Sequence, residues 1–555
     1  MTINIQSFKK VFRLLTTALI FFASINYPQQ ATGNTNFKKE AIRRHLNFLG
    51  SDLFEGRGTG TTGGNLAAKY LALEFERTKL KPIGSNKTFY QYVPLHGSKP
   101  LTSSKLEINV RDKTIPLKLN DDYVLLQAGE QTFIPNQIPL VFVGYGIISP
   151  EYDYNDYYNI DVEGKVVVFW DGEPELEDES FFDGKNPTIY SSLEAKQRIA
   201  LSRGARGSIF IPSPDNAKYK DWDQVINNYS FEYLSLAYSA ASTFGAILKP
   251  GAAKLLFEDS GYSIDDVNTM VKTNSIKSFP LNSRLSFKGN FKERDFLAPN
   301  IIGLLEGNDP DLKNSFVIVS AHYDHLGIGP SINNDSIYNG VFDNAAGVSV
   351  LIEIAKEFSK PENTPGRSII FILLTGEESG LLGSKYYIDN PVVPLYKTVA
   401  NINIDGVASF DKFKSVVGIG KEYSTLEDFL NITAQKSGLS VITIPPLFIQ
   451  AESFTRSDQL TFASAGIPAI LISEGLDYVN LSYEEGLEKM INFASKIYHT
   501  PFDDLTLPIN YDAVIQHTGF LYSFIAEIAN AEKEPEWYKG SPYINARLRS
   551  IAEKK

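Results

Sequence analysis

From Phe316 to Gly347 the chain reads FVIVSAHYDHLGIGPSINNDSIYNGVFDNAAG. Phe316 to Val319 is apolar and β-branched, as in a strand buried within a sheet. The run ends in Ala321-His322-Tyr323-Asp324-His325, so imidazoles and a carboxylate leave the strand together. A polar loop follows, and Asp343-Asn344 opens a segment of helical period. There Val348, Leu351, Ile352, Ala355 and Phe358 share one face, and Pro361 bounds the helix. This order predicts a strand-helix unit of an α/β sheet, in which reactive groups collect beyond the carboxyl ends of the strands.

The pattern repeats downstream. Strands are predicted at Asn300 to Leu305, Arg367 to Leu374, Val399 to Ile404 and Ala469 to Ile472. The run RSIIFILL at 367–374 is continuously apolar, the mark of a strand covered on both faces. Ser424-Thr425-Leu426-Glu427 predicts a capping box for a helix that Gly438 closes. Val514, Thr518, Leu521, Ile525 and Ile528 stripe a last long helix. The expected fold is α/β: a mixed, mostly parallel sheet flanked by helices.

Upstream, residues 35–80 read as helical, with Ala67, Tyr70, Leu71 and Phe75 on one face. A glycine-rich turn, Ser51 to Gly60 (SDLFEGRGTG), interrupts them. No G-K-[ST] follows and no strand leads in, so a phosphate loop is not supported. An ordered loop packed near the active face is expected instead. From Tyr90 to Lys288 short β-rich runs replace the helical period, which marks an inserted domain. Its run YDYNDYY at 152–158 reads either as a contact surface for carbohydrate or peptide or as core tyrosines.

Composition narrows the chemistry. The 555 residues exceed one ordinary core and suggest about three domains. A net charge of −12 offers no basic surplus for nucleic acid. Cysteine is absent, so a thiolate nucleophile, a disulfide framework and Cys-ligated zinc are excluded. Lys9, Lys10 and Arg13 precede the apolar stretch Leu14 to Ile25, which predicts a signal peptide and an exported protein, periplasmic or extracellular. No stable membrane span is expected in the mature form. Oligomeric state is not legible.

Metal-type residues end several of the predicted strands. Glu377-Glu378 follow RSIIFILL, Asp405 ends Asn403-Ile404-Asp405, and His499 lies in Tyr498-His499-Thr500-Pro501-Phe502-Asp503. Singly, each is commonplace: a strand-end carboxylate is usually a cap, and a glutamate pair suits a helix N-terminus. Together they offer imidazole and carboxylate donors in the number a pair of divalent ions needs, with one carboxylate left over as a base.

Taken together, His322-x-Asp324, Asp343-Asn344, Glu377-Glu378, Asp405 and His499-Thr500-Pro501 resemble the motifs of co-catalytic zinc exopeptidases of metallopeptidase family 28, of the secreted aminopeptidase type. Ser457-Asp458 and the run FASAGIPA at 462–469 add to the likeness. The runs VFVGYG at 141–146, Asp161 to Val167 and Arg203-Gly204-Ala205 resemble the protease-associated domain that some members carry as an insert. The resemblance implies the zinc exopeptidase fold. It implies domains at 1–34 (signal and linker), 35–90 with 291–532 (catalytic), 91–290 (protease-associated insert) and 533–555 (tail). It further implies two divalent metal ions, with zinc the expected metal. Asp343 would bridge them, His322 and Asp405 would complete one site, and Glu378 and His499 the other. Glu377 would be the general base, and Asp324 would accept from the far nitrogen of His322. The Asp343–Asn344 peptide would be cis. The expected substrate is a peptide with a free N-terminus. A carboxypeptidase or dipeptidase of the same fold is the alternative, with Arg456 as a candidate carboxylate reader, and a non-catalytic receptor-like relative is a third reading. Tyr478 is a candidate oxyanion donor by position alone. His325 is expected to support the site, and His45, His96 and His517 to be structural.

Overall fold

The computed structural model describes residues 37–126, 133–176, 180–182, 184, 188–239, 243–444 and 450–554. The export signal expected at the N-terminus lies outside them. Among the described residues, no helix is long and apolar enough to cross a membrane.

Nine strands order the larger sheet: β1 (Tyr90–Pro100), β2 (Tyr233–Leu236), β3 (Phe291–Leu305), β4 (Phe316–His322), β5 (Ser368–Leu374), β6 (Thr398–Asn403), β7 (Ser415–Ile419), β8 (Ser440–Ile442) and β9 (Ala469–Glu474). They run β2-β1-β3-β5-β4-β6-β9-β7-β8, and the short strand Lys81–Pro82 also pairs with β3. The sheet is mixed. Its centre, β5-β4-β6-β9, is parallel, while β3 joins β5, and β7 joins β9, antiparallel. All four central strands therefore end at one edge. Side chains alternate between two cores as the strand period requires. Val317, Val319, Ile369, Phe371 and Leu373 face one core, and Ile318, Ile370, Ile372 and Leu374 the other.

The first core is closed by helices α1 (Lys39–Leu49), α2 (Thr62–Arg77), α3 (Ala346–Phe358) and α4 (Tyr511–Asn530). The striped residues of the long helix, Val514, Leu521, Ile525 and Ile528, are buried there as their spacing predicts.

A second sheet of eight strands is built from residues 105–288, with apolar cores on both faces. It stands on a stem: β1 and β3 pair continuously from Tyr90 opposite Ile301 to Pro100 opposite Phe291. The insertion expected from residue 91 thus lends its first strand, and later β2, to the larger sheet. In the YDYNDYY run, Tyr157 is buried, Tyr154 donates to buried Asp156 at 2.8 Å, and Tyr158 is exposed. Tyr152, Tyr154 and Tyr157 pack against the cores of the second sheet.

One local expectation is overturned by a contact between distant segments. The capping box at Ser424 does not form: Thr425 gives the helix Leu426–Ser437 no side-chain cap, and the Ser424 hydroxyl accepts from Leu426 N–H at 3.4 Å while Glu427 N–H donates to the Ser424 main-chain carbonyl. The helix entry is occupied by the C-terminal segment instead. Thr425 N–H donates to Glu536 O at 2.8 Å, Glu536 N–H donates to Thr425 Oγ1 at 2.9 Å, and Ser424 bridges to Trp537. Trp537 is buried and donates to Gly466 O at 2.9 Å, so residues 533–555 include a docked segment rather than only a tail. At the other terminus, Gly56 has φ +67°, and a Cβ there would lie 2.3 Å from Tyr338 O and 2.6 Å from Gly327 O. Both contacts are main-chain and cannot yield. Gly56→Ala should lower unfolding stability by about 2–3 kcal/mol, combining a left-handed conformation with overpacking, as measured by urea denaturation.

Candidate active site

The parallel centre of the sheet delivers its strand ends to one place. His322 is the last residue of β4, Glu377 and Glu378 turn off the end of β5, and Asp405 follows β6. The β5 turn is held from below by Asn300, which accepts from Thr375 N–H at 3.1 Å and donates to Gly383 O at 2.9 Å. Asp343 enters from the turn Val341–Ala345 that leads into α3, and its peptide bond to Asn344 is cis. His499, with φ +56°, comes from the segment before α4.

Asp343 sits between two imidazoles. Its Oδ1 is 3.2 Å from His322 Nε2, and its Oδ2 is 3.1 Å from His499 Nε2. On the first side, His322 Nε2 also lies 3.2 Å from Asp405 Oδ1. On the second, His499 Nε2 lies 3.0 Å from Glu378 Oε2. Donor atoms of His322, Asp343 and Glu378 fall within 4.8 Å of one another. The partners of these carboxylates among the described residues are imidazoles, not lysine or arginine.

The charges respond to this crowding. Burial and Asp343 push the Glu378 carboxyl up, but His499 and His325 pull it down to about 2. Burial alone would lower the His499 imidazole, yet Glu378 and Asp343 lift it to about 10. Glu377 differs from its neighbour. Burial, reinforced by Glu378, Asp405 and Asp458 and opposed by His322, holds it well above the usual carboxylate range. The adjacent glutamates are thus driven in opposite directions by burial and by the charges each one faces.

The supporting contacts depart from expectation at Asp324. His322 Nδ1 donates to the Asp324 main-chain carbonyl at 3.2 Å, while the nearest Asp324 carboxylate oxygen is 3.9 Å away. That carboxylate is already engaged: Oδ2 accepts from the Thr59 hydroxyl at 2.9 Å and Oδ1 from Glu377 N–H at 3.2 Å. The tautomer of His322 is still set, with Nε2 facing the carboxylates. His325 is buried and donates from Nδ1 to Glu378 Oε1 at 2.6 Å, so it orients Glu378. His517 is buried away from the site and accepts from Ala408 N–H at 3.0 Å.

A cavity of about 1720 Å³ opens over these groups, lined by Asp343, Glu377, Glu378, Asp405 and His499 and also by residues of the segment that carries the second sheet, among them Asp171 and Tyr229. Tyr478 is not part of it and packs in the core. Of the tyrosines that line the cavity, Tyr498 is the one stacked on His499, with ring centroids 3.8 Å apart. Its only mark in the sequence is adjacency to His499. Arg456 also lines the cavity, 6.0 Å from the Tyr498 ring.

Residues 300–525 match the model of peptidase family M28. This part of the chain belongs to that family. Over 227 residues the chain is 30% identical to leupeptin-inactivating enzyme 1 of Streptomyces exfoliatus, covering 39% of this chain and 46% of the relative. It is 26% identical over 247 residues to aminopeptidase YwaD of Bacillus subtilis, covering 44% and 47% respectively. The chain thus spans about half the length of these curated relatives. Among solved structures, an aminopeptidase from Aneurinibacillus sp. strain AM-1 shares the fold, with a TM-score of 0.54 and 18% identity over 91% of this chain and 97% of that one.

Sequence reasoning also missed Asp503, which sits four residues beyond His499. Its carboxylate accepts from Phe342 N–H at 2.9 Å and Asp343 N–H at 3.0 Å, clamping the turn that presents Asp343. Asp503→Asn presents an amide donor to one of these N–H groups. It should cost about 1–3 kcal/mol, the range for an unsatisfied buried group, read by thermal or urea unfolding.

Proposed function

We propose that this protein is an exported metalloaminopeptidase, cleaving the N-terminal peptide bond of peptides with two divalent ions, zinc foremost, and Glu377 as general base. The observation that carries the reading is the division of Asp343, whose two oxygens serve two separate imidazole and carboxylate sets. Imidazole nitrogen and carboxylate oxygen suit zinc, and ion binding displaces the protons that such imidazoles carry. His322 and Asp405 would hold one ion, Glu378 and His499 the other, and Asp343 both. The metal pair, when bound, supplies Lewis acidity toward the scissile carbonyl and a water of lowered pKa.

The protein's own groups do the remainder. Glu377, kept basic by burial and neighbouring carboxylates, takes a proton from the attacking water at its carboxylate and returns it to the leaving amine. Its main chain is fixed by Asp324, which limits the directions its side chain takes. Tyr498 keeps its proton, since burial raises it well above its ordinary value, and so serves as a neutral donor toward developing negative charge. The carboxylates of Glu378, Asp405 and Glu474 give the cavity a surface suited to a free α-ammonium group. The second sheet, resembling a protease-associated domain in sequence, would limit what reaches the site. The basic and apolar opening of the chain supports export.

Hydrolysis of a free-amine peptide compared with its N-acetylated form tests the substrate class. The free-amine peptide should be cleaved and the blocked one left intact, and equal rates would contradict an aminopeptidase. Glu377→Gln should keep its metal content yet lose about 10²–10⁴-fold in kcat, the usual contribution of a positioned base. Turnover retained in that variant would remove Glu377 from its assigned role.

A further inference from the structure

The sequence gives the glycine-rich turn SDLFEGRGTG no role beyond packing near the active face. The backbone of Glu55, Gly56 and Arg57 is left-handed, with φ of 46°, 67° and 52°. This curl goes with an inward course for the Arg57 side chain, which is 1% exposed. Its guanidinium meets only main-chain carbonyls in the contacts described. Nε donates to Tyr323 O at 2.8 Å, Nη1 to Leu49 O at 3.0 Å and Asn339 O at 2.5 Å, and Nη2 to Gly340 O at 2.7 Å. Leu49 ends α1, so that bond satisfies a helix end. The other three fall on functional segments: Tyr323 lies between His322 and Asp324, and Asn339-Gly340 lead directly into the turn bearing Asp343.

Two residues later the same turn acts again. The Thr59 hydroxyl donates to Asp324 Oδ2 at 2.9 Å, and Asp324 Oδ1 accepts from Glu377 N–H at 3.2 Å. Main-chain pairing reinforces the contact, since Gly58 bridges to His325. One short segment, far from the site in sequence, therefore grips the turns that bear His322, Asp343 and Glu377. A guanidinium is suited to this, because its planar fork offers five donors in fixed directions.

We infer that Arg57 and Thr59 are positioning residues: Arg57 fixes the spacing of the His322 and Asp343 turns, and Thr59, through Asp324, fixes Glu377. This rests on the metallopeptidase reading above. A merely structural arginine would change folding stability alone. A positioning one changes metal affinity and kcat in a folded protein.

The test uses the whole protein and the variants Arg57→Lys, Thr59→Val and Thr59→Ser. Three quantities are read: zinc affinity by competition with a chromophoric chelator, kcat and KM at saturating zinc, and the thermal midpoint. Lysine keeps the charge but cannot span four carbonyls. Arg57→Lys should weaken zinc binding and lower kcat by about 10–100-fold, the range for residues that orient metal ligands, with KM nearly constant. Thr59→Val should lower kcat by about tenfold with zinc affinity and midpoint unchanged, and Thr59→Ser should restore it. Wild-type zinc affinity and kcat in Arg57→Lys would overturn the assignment of Arg57. Should Arg57→Lys fail to fold, the Thr59 pair decides: equal kcat in valine, serine and wild-type proteins would overturn the proposal. A wild-type protein that binds zinc but spares every free-amine peptide would instead refute the aminopeptidase reading. Arg57→Lys zinc affinity would still decide the positioning claim.

Discussion

The site depends on one carboxylate facing two ways. Asp343 presents Oδ1 to His322 and Oδ2 to His499, and those contacts are 3.2 and 3.1 Å long. A carboxylate can serve two partners only if its main chain is fixed, because a small rotation of the turn would favour one side. The structure fixes it from two directions. Asp503 accepts the N–H groups of Phe342 and Asp343, and Arg57 holds the carbonyls of Asn339 and Gly340 just before the turn. Both are buried, so water does not compete for these bonds.

The sheet explains why so few residues suffice. Parallel pairing of β5, β4, β6 and β9 sends His322, Glu377, Glu378 and Asp405 to the same edge, and the antiparallel β3 leaves that edge undisturbed while carrying the stem of the second sheet. The insertion rises from the paired stem β1–β3 and contributes walls to the cavity above the site. Position along the chain and position in space are thereby decoupled: Asp171 and Asp343 share one cavity.

Much of this was legible in the sequence because it follows from local pattern. RSIIFILL is buried on both faces, as a continuous apolar run requires, and the long terminal helix packs along its stripe. The metal-type residues were legible because each lies at or just past the end of a recognisable strand, except Asp343, which opens a helix, and His499, which depended on a motif. What was not legible depends on contacts between distant segments. The box at Ser424 matched its pattern but lost to the incoming residues Glu536 and Trp537. Asp324 has the right spacing to reach His322, yet Thr59 and Glu377 occupy its oxygens. Tyr478 follows a strand, a position open to an oxyanion donor, yet it packs in the core. Arg57 could not be placed from sequence, because its acceptors are main-chain carbonyls, which carry no side-chain signature.

Whether two ions flank Asp343 decides between a shared metal pair and any simpler site. Anomalous diffraction from zinc-loaded crystals, recorded above and below the zinc absorption edge, measures this directly. Two peaks about 3.5–4 Å apart are expected, one beside His322 and Asp405 and the other beside Glu378 and His499. A single peak at either position, or peaks away from Asp343, would contradict a shared metal pair.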